Sequence, residues 1–117
     1  MATKQEVEKF LNEFHVKMKI SDVFFRDERG KNTQALADLE IRPNDRIKII
    51  EELKTIDYSE GPLEEKLYNG NSMWVFGMEI KSKEVYIKIS IGVAGSRVIC
   101  ISFHIADRHM NYPFKTK

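Results

Sequence analysis

The chain has 117 residues, of which 42% are apolar and 32% charged. That composition excludes disorder over most of its length and suits one domain, residues 1–117. No run approaches the roughly 20 apolar residues of a membrane span, and MATKQEVEKF lacks the apolar run of a secretory signal, so no membrane partner and a cytoplasmic location are expected. The net charge of +1 hides a gradient: from Lys66 onward 8 Lys and Arg face 3 Asp and Glu, a basic balance suited to a phosphate-rich or acidic partner.

Val7, Phe10, Leu11, Phe14 and Met18 recur at helical spacing and predict a helix over Thr3–Met18. Thr3 and Glu6 have the spacing of a capping box. His15 on that helix has no visible partner and reads as a surface residue. Val23, Phe24 and Phe25 favour a short strand within Ile20–Phe25, and the polar run Arg26–Lys31 turns the chain. A short helix over Asn32–Leu39 follows. A second begins at Pro43, which suits the first helical position, with an apolar stripe of Ile47, Ile50 and Leu53. Thr55–Ser72 shows no clear period and contains Gly61, Pro62 and Gly70, so a long connection is expected there, with one helical turn near Leu63–Leu67.

The second half alternates. Trp74, Phe76, Met78 and Ile80 form one apolar row, and Val85, Ile87, Ile89 and Ile91 form another. A two-residue loop at Ser82-Lys83 brings the rows together and sets Glu79 opposite Tyr86 and Gly77 opposite Lys88. Gly92–Ser96 (GVAGS) lacks the ending of a phosphate-binding loop and reads as a hairpin connection. In the last strand, Arg97–Ile105, the odd positions Ile99, Ile101, Phe103 and Ile105 continue the apolar face. Val98, Cys100, Ser102 and His104 then share the opposite face. The lone Cys100 excludes an internal disulfide and reads as a small buried side chain. The fold expected is α+β: an N-terminal helix, helices packed on one sheet face and a C-terminal three-stranded antiparallel meander.

The second sheet face carries the candidate chemistry. Either admissible register of the last hairpin brings His104 within one diagonal step of Tyr86, so Glu79, Tyr86, Lys88 and His104 converge. Such a set suits cleavage of an RNA phosphodiester, which needs a base for the ribose 2′-OH, an acid for the departing 5′-oxygen and a cation for the phosphorane charge. Histidine as a residue type titrates near neutrality, a carboxylate can act as base, and tyrosine donates a hydrogen bond. The same residue types also suit a merely solvated face. His104, Asp107 and His109 are metal-ligand types without a further ligand motif, so no metal site is expected.

The runs MWVFGMEIKSKEVYIKISIG and VICISFHIADRHMNYPFK, preceded by RPNDRIKIIEELKTIDYSEGP, resemble the motility quorum-sensing regulator (MqsR-like) toxins of the RelE-like group of bacterial mRNA interferases. The likeness covers residues 32 to 115. It implies a RelE-like fold and a cytoplasmic endoribonuclease of a type II toxin–antitoxin system, with mRNA as substrate, a cognate antitoxin as partner and neither metal nor organic cofactor. Tyr86 matches the tyrosine of the family's VY(L/I)K strand, and His104 falls where the family has a catalytic lysine. Val75 stands in place of the family's glutamine, and Ser59 or Glu60 in place of a second lysine. His104, Tyr86 and Glu79 are the catalytic candidates, with Lys88, Lys81 and Arg97 as substrate-binding ones. The alternative is a non-catalytic binding or regulatory module on the same scaffold.

Overall fold

In the computed structural model, which describes residues 1–27, 30–64, 71–92 and 97–115, helix α1 (Lys4–Ile20) starts at the expected capping box. The Glu6 N–H donates to the Thr3 hydroxyl at 3.1 Å and the Thr3 N–H to the Glu6 carboxylate at 2.8 Å, which satisfies two otherwise orphaned amides. All five residues of its apolar stripe are buried. His15, expected to lie free on the surface, instead donates from Nε2 to the Ile50 carbonyl at 2.9 Å. A carbonyl can only accept, so that nitrogen carries the proton.

The further elements are β1 (Val23–Phe25), α2 (Gly30–Leu39), α3 (Asp45–Glu51), a 3₁₀ turn at Thr55–Asp57, β2 (Tyr58–Leu63), β3 (Met73–Ile80), β4 (Lys83–Ser90) and β5 (Val98–Ile105). They build one five-stranded sheet in the order β1-β5-β4-β3-β2. The α+β class and the C-terminal meander are as expected. The sheet is mixed, because β1 runs parallel to β5 while the other pairs are antiparallel. One face carries the core: Phe10 of α1 stacks on Trp74 at 4.7 Å and lies 6.2 Å from Phe76, and Val85, Ile87, Ile89 and Phe103 are fully buried with them. Among the described residues no helix is long and apolar enough to cross a membrane.

Three departures from the sequence reading shape the second face. First, the β3–β4 loop is Lys81-Ser82 and not Ser82-Lys83; both residues have left-handed backbone, φ 51° and 69°, as a type I′ hairpin turn requires. The register moves by two residues, so every side chain keeps its face but changes partner. Tyr86 now lies opposite Gly77, and Glu79 opposite Glu84. This arrangement gives the Tyr86 ring a neighbour without a side chain.

Second, β5 has an irregularity opposite Lys88/Ile89: Ser102 pairs with Lys88, but Cys100 and not Ile101 pairs with Ile89. One extra residue reverses the alternation beyond it. Val98 and Cys100 therefore belong to the α1 core, fully buried, and the Cys100 side chain does not share a sheet face with Ser102 and His104 as the strict alternation predicted.

Third, the expected structureless connection contains β2, an edge strand paired with β3 through two register shifts. Gly61 and Pro62 argue against a regular strand, yet an edge with bulges accommodates both. Gly61 has φ +125°, and a Cβ there would meet the Met73 carbonyl oxygen at 2.9 Å, so both backbone angle and space call for glycine. Most of the expected helical turn near Leu63–Leu67 lies outside the described residues, as do parts of the turns at Arg26–Lys31 and Gly92–Ser96.

The free side of β5 is closed by one side chain. Beyond its pairing with β1, the Phe103 N–H donates to Asn32 Oδ1 at 3.1 Å, and Asn32 Nδ2 donates to the carbonyls of Ile101 and Arg26, each at 3.0 Å. The amide of Asn32, 2% exposed, thus does for β5 what another strand's backbone would do. Close by, Arg46 makes a bidentate pair with Asp27 at 2.8 and 2.9 Å and lies 3.9 Å over the Phe25 ring.

Candidate functional site

On the sheet face opposite α1, the registers align two rows across the strands. One runs Gly77, Tyr86, His104; the other runs Glu60, Val75, Lys88, Ser102. Over them lies a groove of about 670 Å³, lined by Ser59, Glu60, Tyr86, Lys88, Ser102 and His104, by Lys31 at the start of α2 and by residues 106–111 of the C-terminal segment.

Tyr86 and His104 are direct cross-strand neighbours, and their rings stack with centroids 5.1 Å apart and planes 10° from parallel. His104 Nδ1 is 3.0 Å from the Ile105 carbonyl oxygen. That oxygen cannot donate, so Nδ1 carries a hydrogen and donates it. Burial, helped by the negative charge of Glu60, pushes the Tyr86 phenol above its ordinary value. At neutral pH Tyr86 is therefore a hydrogen-bond donor.

The C-terminal segment forms one wall, and it is pinned. The Tyr112 hydroxyl donates to Glu84 at 2.6 Å, and the Met110 N–H donates to the other oxygen of the same carboxylate at 3.0 Å. Burial opposes the Glu84 charge, but these bonds and nearby His109 and Lys115 outweigh it and hold the carboxyl below its ordinary value. A Cβ on Gly77 would meet the Met110 sulfur at 2.8 Å and collide with Tyr112. The space that Gly77 leaves above the sheet is thus filled by the segment itself. Phe114 then stacks on Tyr58 at 5.3 Å, so YPFK covers the edge of the core. At the rim, Lys31 pairs with Asp107 at 2.6 Å and, by that hydrogen bond and its charge, lowers the Asp107 carboxyl.

Of the residues singled out from the sequence, Tyr86, Lys88 and His104 line the groove together. The other three do not line it. Glu79 is exposed and faces Glu84. Lys81 occupies the hairpin turn, its Nζ donating to the Glu40 carbonyl at 3.0 Å, and the Arg97 guanidinium lies 4.8 Å over the Phe24 ring. Sequence reasoning reached Ser59 and Glu60 only as positions that replace a family lysine, and missed them as groove residues because β2 was read as loop; Tyr58-Ser59-Glu60 is too short an alternation to signal a strand before Gly-Pro. It also missed Lys31 and the C-terminal wall, which no periodicity marks.

No protein-family model matches the chain, and no curated protein or solved structure does.

Proposed function

We propose that the protein is an endoribonuclease, the toxin of a type II toxin–antitoxin system, which acts on mRNA in the cytoplasm and is neutralised by a cognate antitoxin. The observation that carries this reading is the stacked Tyr86–His104 pair in a groove shared with Lys88. The reaction is a transesterification: the ribose 2′-oxygen attacks the adjacent phosphorus, the P–O5′ bond breaks, and the products are a 2′,3′-cyclic phosphate and a free 5′-hydroxyl. His104 exchanges a proton through Nε2. Tyr86, kept neutral by its raised pKa, donates a hydrogen bond to a phosphoryl oxygen, and the ammonium of Lys88 offsets the developing charge. The likeness to the MqsR-like toxins supports the same reading through Tyr86 and His104.

The test is cleavage of a naked transcript by the purified protein, with both ends of the products mapped, alongside growth arrest on expression. His104→Ala and Tyr86→Phe are each expected to slow cleavage by about 100-fold or more, the usual contribution of a positioned proton donor or acceptor. Undiminished cleavage in both variants removes the assignment. RNA binding without cleavage by the wild type establishes the non-catalytic module instead.

A further inference from the structure

We propose that a second cavity, between α2 and the end of β5, holds a nucleobase next to the cleaved bond and selects bases that carry an exocyclic amino group, with Asp38 and Gln34 as its readers; this rests on the endoribonuclease reading. The cavity has a volume of about 440 Å³, a size usual for a small-molecule pocket. It adjoins the groove, because Lys31, His104, Ala106 and Asp107 line both. The row Gly77, Tyr86, His104 ends on β5, and α2 is tied to that strand by the Asn32 amide. An RNA strand with its phosphate over Tyr86 and Lys88 therefore meets His104 and, adjoining it, the second cavity. Whichever of the two reacting oxygens exchanges its proton with His104, the base of that same nucleoside is the one within reach of the cavity.

The lining suits a flat base with a donor on its edge. Lys31, Gln34, Ala35 and Asp38 recur at helical spacing and so share one face of α2. Ala35, Ile105 and Ala106 give apolar walls, and Gln34 and Asp38 give a polar end. Gln34 Nε2 donates to Asp38 Oδ1 at 2.9 Å, which steadies the carboxylate; its other oxygen has no partner among the described residues. A carboxylate can only accept, so it takes an N–H from the base. Adenine, guanine and cytosine each present an amino group on the hydrogen-bonding edge that an unstacked base exposes. Uracil has none, and its single ring N–H on that edge is flanked by carbonyl oxygens that a carboxylate repels. Lys31 keeps the passage between the cavities open to RNA: its ammonium, 2.6 Å from Asp107, offsets a second carboxylate that would otherwise repel a phosphate at the junction.

The experiment uses the full chain and RNA oligonucleotides that carry the bond mapped in the transcript digest, with each of the two nucleotides flanking that bond set in turn to A, G, C and U. At one of the two positions the wild type is expected to cut the amino-bearing bases about 10-fold faster than uracil, the discrimination that one well-placed side chain gives between bases. Asp38→Ala should bring that ratio to within about threefold by slowing the amino-bearing substrates, with uracil cut at the wild-type rate, so that the loss is confined to recognition. Asp38→Asn, whose amide can donate to a carbonyl oxygen, should gain on uracil. Gln34→Ala, which leaves the carboxylate in place but unsteadied, should shrink the ratio by less than Asp38→Ala. Both residues are exposed, and unchanged thermal unfolding of the variants will show that the fold is intact. The proposal is overturned if the wild type cuts without bias against uracil at either position, or if Asp38→Ala keeps the bias or slows all four substrates alike. A wild type that cuts no RNA instead overturns the endoribonuclease reading, and this proposal with it.

Discussion

Replacing Asn32 by alanine tests the structural premise on which the groove depends. The Asn32 amide accepts from the Phe103 N–H and donates to the Ile101 and Arg26 carbonyls, all within 3.0–3.1 Å and almost wholly out of water. A net contribution of about 1 kcal/mol for each of the three bonds gives about 3 kcal/mol. The buried Phe103 N–H left without a partner places the loss at that figure or above. This is a large part of the ~5–15 kcal/mol that holds a domain of this size together. Asn32→Asp should be no milder: its carboxylate can still accept from Phe103 but sets negative charge against two carbonyl oxygens. Urea unfolding gives the change in stability, and native-state hydrogen exchange reads the Phe103 amide, which should be strongly protected in the wild type and fast in Asn32→Ala. A loss below about 1 kcal/mol together with a protected Phe103 amide would refute the view that this one side chain completes the β5 edge.

Tyr112→Phe removes the shorter of the two hydrogen bonds to Glu84 and should lower stability by about 2 kcal/mol near neutral pH, measured by chemical denaturation. Because Glu84 titrates lower in the folded than in the unfolded chain, its contribution is full above its ordinary value of 4.5 and fades as pH falls below it. The difference between wild type and Tyr112→Phe should shrink in that same window. Cys100, fully buried with its thiol pushed up to about 12, should resist alkylation in the native protein and react at a rate set by unfolding. Ser82→Gly should raise stability by about 0.5–1 kcal/mol in thermal unfolding, because Ser82 sits at φ 69° in the hairpin turn, where a Cβ is unfavourable.

Much of the sheet face was legible because strand alternation is local. The apolar rows of β3 and β4 identified which residues face α1, and the two-residue change of register left those faces intact while moving Glu79 away from Tyr86. The Tyr86–His104 contact survived for a different reason: it depends on the second hairpin, where the pairing near Tyr86 is regular and the irregularity comes only beyond Lys88. Cys100 lies past that irregularity, and a single added residue was enough to carry it to the other side of the sheet.

From the sequence by itself came the α1 helix with its capping box, the C-terminal meander, the apolar rows of β3 and β4 and the neighbouring Tyr86 and His104, since each follows from spacing over a few residues. Only the tertiary structure decided that Glu60 shares a groove with them, that Asn32 closes the edge of β5, and that Tyr112 and Glu84 pin the groove's wall over Gly77. These are contacts between segments distant in the chain. Their partners are chosen by unpaired edges, bulges and a missing side chain, and the side-chain periodicity of any one segment carries no trace of that choice.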